Sequence, residues 1–141
     1  MIWYNAYPSP YHELFYSICG AHNGGFVAAG YYDSSTYTPW AGIVTYVDNQ
    51  GKLIWEKILN YNEFHISEFS SICKINGGYL LCPRYYVDTT IYRGRAEIIK
   101  LDTSGNITFS KIIPQLPEVP HIANVFISVL IIFQQSKDIA P

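Results

Sequence analysis

The sequence predicts an all-β chain in which one unit of about four short strands occurs twice. Three observations carry this prediction. The chain matches itself when displaced by 54 residues, turn-forming Asn-Gly-Gly and Asp-x-x-Gly groups recur at the same places in each copy, and no window sustains an apolar spacing of helical period. Under the displacement Phe15, Ser17, Ile18 and Cys19 fall on Phe69, Ser71, Ile72 and Cys73. Asn23-Gly24-Gly25 falls on Asn76-Gly77-Gly78 after one deletion, and Tyr31-Tyr32 on Tyr85-Tyr86. Asp48 and Gly51 meet Asp102 and Gly105, Trp55 meets Phe109, and Lys57-Ile58 meets Lys111-Ile112.

The elements follow in order. A first strand is expected over 15–19, repeated at 69–73. The Asn-Gly-Gly group after each is a tight turn, because Asn and Gly accept positive φ. The second strand runs over 26–32 and 79–86, and polar loops follow at 33–39 and 88–93. The third strand covers 42–47 and 96–101. Asp48-Asn49-Gln50-Gly51 and Asp102-Thr103-Ser104-Gly105 are then hairpin turns, Asp accepting backbone N–H groups and Gly taking the left-handed position. The fourth strand covers 52–59 and 106–113. Strict alternation puts Leu53, Trp55 and Lys57 on one side of it, with Trp55 and Phe109 as repeated anchors against a neighbouring sheet.

Composition narrows the classes of function. Of 141 residues, 49% are hydrophobic and 16% aromatic, 13 of them Tyr, and only 14% are charged. A soluble domain carries about 25% charged residues, and disordered chains are rich in charge and poor in aromatics, so disorder is excluded. Net charge is −2 with no run of like charge, which argues against nucleic acid and anionic lipid as partners. The longest apolar stretch, 122–133, is broken by Asn124 and Ser128 and falls short of the roughly 20 residues of a membrane span. No basic and apolar leader opens the chain, so no signal peptide is read. Cys19, Cys73 and Cys82 are odd in number and lack metal-site spacing; they read as small buried hydrophobes.

A four-stranded unit of about 50 residues with these turns resembles a β-propeller blade. Ser71-Ile72, Asn76-Gly77-Gly78-Tyr79, Lys100-Leu101-Asp102-Thr103-Ser104-Gly105-Asn106 and Lys111 resemble the blades of a group of bacterial and archaeal propeller repeats. So do Ser17-Ile18, Asn23-Gly24-Gly25-Phe26, Gly30-Tyr31 and the run from Asp48 to Lys57, the latter with a weaker similarity to quinoprotein (PQQ-type) repeats. Pro83 departs from the expected strand Gly, and Phe109 from the expected Trp. The resemblance implies a partial β-propeller of about two blades: 1–14 as the remnant of a preceding blade, 15–60 and 61–113 as the blades, and 114–141 as a diverged cap strand or truncation tail. It also implies an extracellular or cell-surface protein. Propellers close with four to eight blades, so a truncated or split propeller that self-associates through open sheet edges is expected.

His12, His22, His65 and His121 have no ligand spacing and read as solvated loop residues, with no metal expected. The two Asp-x-x-Gly stretches lack the ligands of a calcium loop. Ser17, Ser71, Cys19 and Cys73 are duplicated, which marks scaffold rather than a unique nucleophile, and no G-x-S-x-G elbow is present. Asn106-Ile107-Thr108 matches a glycosylation sequon, read as coincidental. The functional expectation rests on aromatic loops: Tyr31, Tyr32, Tyr37, Trp40, Arg84, Tyr85, Tyr86 and Tyr92, set against the alternative that such tyrosines fill space between sheets. The expected function is a non-catalytic binding module for a protein or glycan, with no cofactor. The alternatives are a piece of a quinoprotein-like or other propeller enzyme, or a degenerate fragment without activity of its own.

Overall fold

The structure, a computed structural model, describes residues 6–7, 9–33, 41–59, 68–84 and 96–113. These residues form eight strands and no helix: β1 (His12–Gly20), β2 (Phe26–Asp33), β3 (Ala41–Val47), β4 (Leu53–Leu59), β5 (Glu68–Ile75), β6 (Gly78–Arg84), β7 (Ala96–Leu101) and β8 (Ile107–Ile113). They make two four-stranded antiparallel sheets, ordered β1-β2-β3-β4 and β5-β6-β7-β8. The all-β expectation is thus met, and each sheet spans one of the two segments that match each other in sequence.

The turns form for the reasons their residues suggest. Asp48 Oδ1 accepts from the backbone N–H groups of Gln50 and Lys52, both at 2.9 Å, while Gly51 takes φ 77° and donates to the Asp48 carbonyl at 3.0 Å. Asp102 repeats this with Ser104 and Asn106 at 2.9 and 2.8 Å, and Gly105 takes φ 81°. In the first sheet the two hairpins are tied together, because Asn49 Oδ1 accepts from Gly25 N at 2.7 Å and the Tyr46 hydroxyl donates to Gly24 O at 2.9 Å.

Even the irregularities are duplicated. The β1–β2 register shifts between Phe15 and Ser17, and the β5–β6 register between Phe69 and Ser71. The β3–β4 register shifts between Tyr46 and Val47, and the β7–β8 register between Lys100 and Leu101. The second pair corrects the alternation expected for the fourth strand. A bulge sets Leu53 opposite Val47, while Trp55 pairs with Tyr46, so Leu53 and Trp55 are not companions on one face. Pro83 leaves its own mark: β2 pairs with β3 as far as Tyr32↔Ala41, whereas the β6–β7 register stops at Leu81↔Ile99. Proline has no N–H to give the ladder.

The sheets pack face to face, with β5 lying against β1, β2 and β3. We call the face of each sheet that looks from the first sheet toward the second its front, and the opposite face its back. The front of the first sheet brings Val27, Ala29, Val44, Tyr46 and Leu59 to the core, joined by Cys19 and Trp55. The back of the second sheet brings Ile72, Tyr79, Leu81, Ile99 and Leu101. Tyr79 is the keystone: its ring stands edge-on to His22 (5.4 Å) and Trp55 (6.4 Å), and its hydroxyl accepts from His22 N at 3.3 Å. His22 is therefore no solvated loop residue. It is half-buried, and its Nε2 lies 3.0 Å from the Gly78 carbonyl. Ser17 Oγ adds a polar clasp, accepting from Ile72 N at 3.1 Å and donating to Ile72 O at 3.5 Å.

Candidate functional site

Antiparallel pairing of β1 with β2 collects aromatic side chains at the end of the first sheet away from its hairpin turns. Tyr31 and Tyr32 close β2 on opposite faces, both half-buried. Tyr31 lies against Tyr16, with ring centroids 6.1 Å apart and planes tilted by 31°. Tyr32 meets Tyr11 edge-on at 5.1 Å and 62°. Tyr11 and Tyr16 themselves are exposed, at 44% and 49%. These two partners were not singled out from the sequence, because they lie upstream of the repeated Phe-x-Ser-Ile-Cys segment or within its bulge. The usable signal was the length of β1, which begins at His12 rather than at residue 15.

Carboxylates accompany the rings on the back face. Glu13 stands opposite Tyr32 in register, and its Oε1 accepts from Ser9 Oγ at 2.6 Å, while Ser9 Oγ accepts from Tyr11 N at 3.2 Å. Glu56 Oε2 accepts from Thr45 Oγ1 at 3.4 Å. Desolvation raises the Glu56 carboxyl above its ordinary range, Glu13 adds repulsion, and the Thr45 hydroxyl works the other way. The Tyr32 phenol is raised too, by desolvation first, then by Tyr11 beside it and by Glu13 and Glu56. On the back face this end of the sheet thus sets the Tyr11 and Tyr32 rings beside the Glu13 and Glu56 carboxylates, while Tyr31, with Tyr16 against it, lies on the front.

The remaining expected site residues divide plainly. Arg84 ends β6 in register with Glu68. Tyr37, Trp40, Tyr85, Tyr86 and Tyr92 lie outside the described residues, as do His65 and His121.

A nucleophile needs an available thiolate or an oxygen beside a base. Burial, with Cys73 nearby, pushes the Cys19 thiol up to about 12, and burial pushes Cys73 up to about 11. Both stay protonated at neutral pH. Ser17 is engaged with the Ile72 backbone. Among the described residues no group of three or more His, Cys, Asp and Glu is placed to hold a metal ion, and no helix is long and apolar enough to cross a membrane.

Comparison of the chain with family models, with curated proteins and with solved structures gives no match.

Proposed function

We propose that the chain is a non-catalytic interaction module of β-propeller type, and that the aromatic end of its first sheet takes up a glycan. The observation that carries the reading is the pairing of Tyr11 with Tyr32 on the back face beside the carboxylates of Glu13 and Glu56. A tyrosine ring offers a flat apolar face for a sugar ring, and carboxylate oxygens accept from sugar hydroxyls. A protein loop would use the same rings, but the acceptor-rich surround favours the hydroxyl-rich ligand.

A glycan array with the purified chain tests this, followed by titration of any hit against Tyr11→Ala and Tyr32→Ala. Each loss of an anchoring ring is expected to weaken binding about tenfold or more, as for a contact worth at least ~1.4 kcal/mol. Folded variants that keep full affinity refute the placement of the site. An array without any hit, with a protein captured through the same tyrosines, moves the ligand class from glycan to protein.

A further inference from the structure

The back face of the first sheet carries charge of one sign. Alternation along β1 to β4 puts Glu13 and Glu56 on this face together with Tyr32 and Thr45. His12, Asp33 and Lys57 fall on the front, so among the described residues of these four strands no Lys, Arg or His shares the back with the two carboxylates. The groups that act on each other there agree. Desolvation and Glu13 raise the Glu56 carboxyl, the Thr45 hydroxyl works the other way, and the Tyr32 phenol is acted on by both glutamates. Two anions that repel each other on one face want a counter-charge, and these strands supply none on that face.

The rings give this charge a shape. Tyr11 and Tyr32 stand at 62° to each other and make an open corner, with Tyr11 exposed. Glu13 lies opposite Tyr32 in register, and the Ser9 hydroxyl donates to it. A cation over a tyrosine face is attracted by the ring quadrupole, and a carboxylate beside the ring adds to the attraction. A neutral sugar would use the rings and leave both charges unmet, and an anionic one would be repelled. The spacing adds a second requirement. Glu13 belongs to the row of Tyr32, whereas Glu56 belongs to the row of Ala28, four residues along β2 or about 14 Å away. Phe15 and Ile58, both exposed, flank the row between and bring no charge. Separated anions with an apolar interval between them suit a polymer that repeats its cation along flat rings.

We propose that the ligand of this end of the sheet is a cationic glycan, an oligosaccharide of amino sugars whose free ammonium groups meet Glu13 and Glu56 while its rings lie on Tyr11 and Tyr32. The proposal rests on the glycan reading given above and specifies the charge of the ligand. An amino sugar supplies in one unit the flat apolar face that the tyrosines take and the positive charge that the glutamates lack.

Three tetramers of the same linkage that differ only at C2, built from glucose, N-acetylglucosamine and glucosamine, test it by calorimetric titration. At about pH 6 the amine is protonated and an ordinary glutamate is ionised. The glucosamine tetramer is expected to bind about tenfold tighter than the other two. That preference should shrink as salt rises from about 0.01 M to about 1 M, where the screening length falls from about 30 Å to about 3 Å. Glu13→Gln and Glu56→Gln should each lower the ratio of amine to neutral affinity, and the double substitution should bring it to about one. Gln keeps the size and an acceptor oxygen, so the ratio reads the charge. If Glu13→Gln does not fold, Glu56→Gln and the salt series on the wild-type chain carry the test. A glucosamine tetramer that does not bind overturns the proposal, whatever neutral glycan an array returns. So does a preference that neither salt nor the glutamate substitutions alter. Equal binding of all three tetramers, lost in Tyr32→Ala, overturns the cationic class and leaves the glycan reading standing. A lysine peptide of the same charge that binds in place of the tetramer, with the same dependence on the glutamates, assigns the face to a basic protein segment and overturns the amino-sugar class.

Discussion

Tyr79 gives the sharpest test of how the sheets are joined. Its ring is fully covered, while Phe26, at the same place in the first copy, is nearly half exposed. Truncating a buried aromatic to Ala costs about 3–5 kcal/mol, combining lost burial with the cavity left among His22, Tyr46 and Trp55. Tyr79→Phe keeps the ring and removes only the acceptor for His22 N, which a net value of about 1 kcal/mol describes. Phe26→Ala removes a side chain that is only partly withdrawn from water, and about 1 kcal/mol follows from the roughly 1.5–3 kcal/mol for complete burial. The expected order is therefore Tyr79→Ala far above the other two. Urea unfolding followed by circular dichroism reads it directly. With a slope of about 1–3 kcal/mol per molar, Tyr79→Ala should lower the midpoint by about 2 M and Phe26→Ala by about 0.5 M. The chain should be dilute enough that association adds nothing, which an unchanged midpoint on further dilution verifies. If Phe26→Ala costs as much as Tyr79→Ala, the two sheets do not meet as described.

Two further outcomes probe the turns. Gly77→Ala faces open space and pays only for its positive φ of 75°, about 1–2 kcal/mol, whereas a Cβ on the neighbouring Gly78 would stand 1.9 Å from the Leu101 carbonyl oxygen and must force β6 from β7. Thermal melting should separate them, with Gly77→Ala lowering Tm by about 4–16 °C and Gly78→Ala by clearly more; equal shifts would refute the close approach. At the other turn, hydrogen bonds from the Asn106 backbone and side chain hold the Asp102 carboxyl below its ordinary range, helped by Ser104 and Lys57. A depressed carboxylate stabilises the fold above its unfolded value, and that contribution disappears as pH falls through the folded one. Wild-type stability should therefore fall more steeply below about pH 4 than that of Asp102→Asn, and parallel acid titrations would contradict this assignment.

The strands were legible because their turns are chemically explicit and occur twice. Asp48 and Asp102 sit where two backbone N–H groups need an acceptor, and glycines occupy the left-handed positions, so hairpin boundaries could be read to within a residue or so. Facing was less legible. A bulge adds one residue without a marker in the sequence, and the shift at Tyr46/Val47 was enough to separate Leu53 from Trp55. The place of His22 is not legible in the sequence, because it depends on a carbonyl and a ring from the other sheet, 56 and 57 positions away. Tyr11 and Tyr16 were missed for a related reason: they become part of an aromatic cluster only through pairing with β2 and through a bulge.

The pattern of what repeats and what does not bears on where a ligand would be held. Repeated positions serve the scaffold at the turn aspartates, at Ser17 and at Trp55, which packs on the core, whereas Phe109, expected as a second anchor, is 49% exposed. Most of the described ones lie toward the hairpin ends or the sheet interface, where a side chain is committed to holding its neighbour. At the opposite end the copies diverge. Tyr31-Tyr32 recurs as Tyr85-Tyr86, but Tyr11, Glu13, Tyr16 and Glu56 correspond to His65, Ser67, Ser70 and Ser110, so what the first copy adds there is the ring partners and the carboxylates. A duplicated unit that keeps its internal contacts is free to vary only where those contacts are absent. Tyr11 and Tyr16, each set against a repeated tyrosine, stand in that free region, as do Glu13 and Glu56.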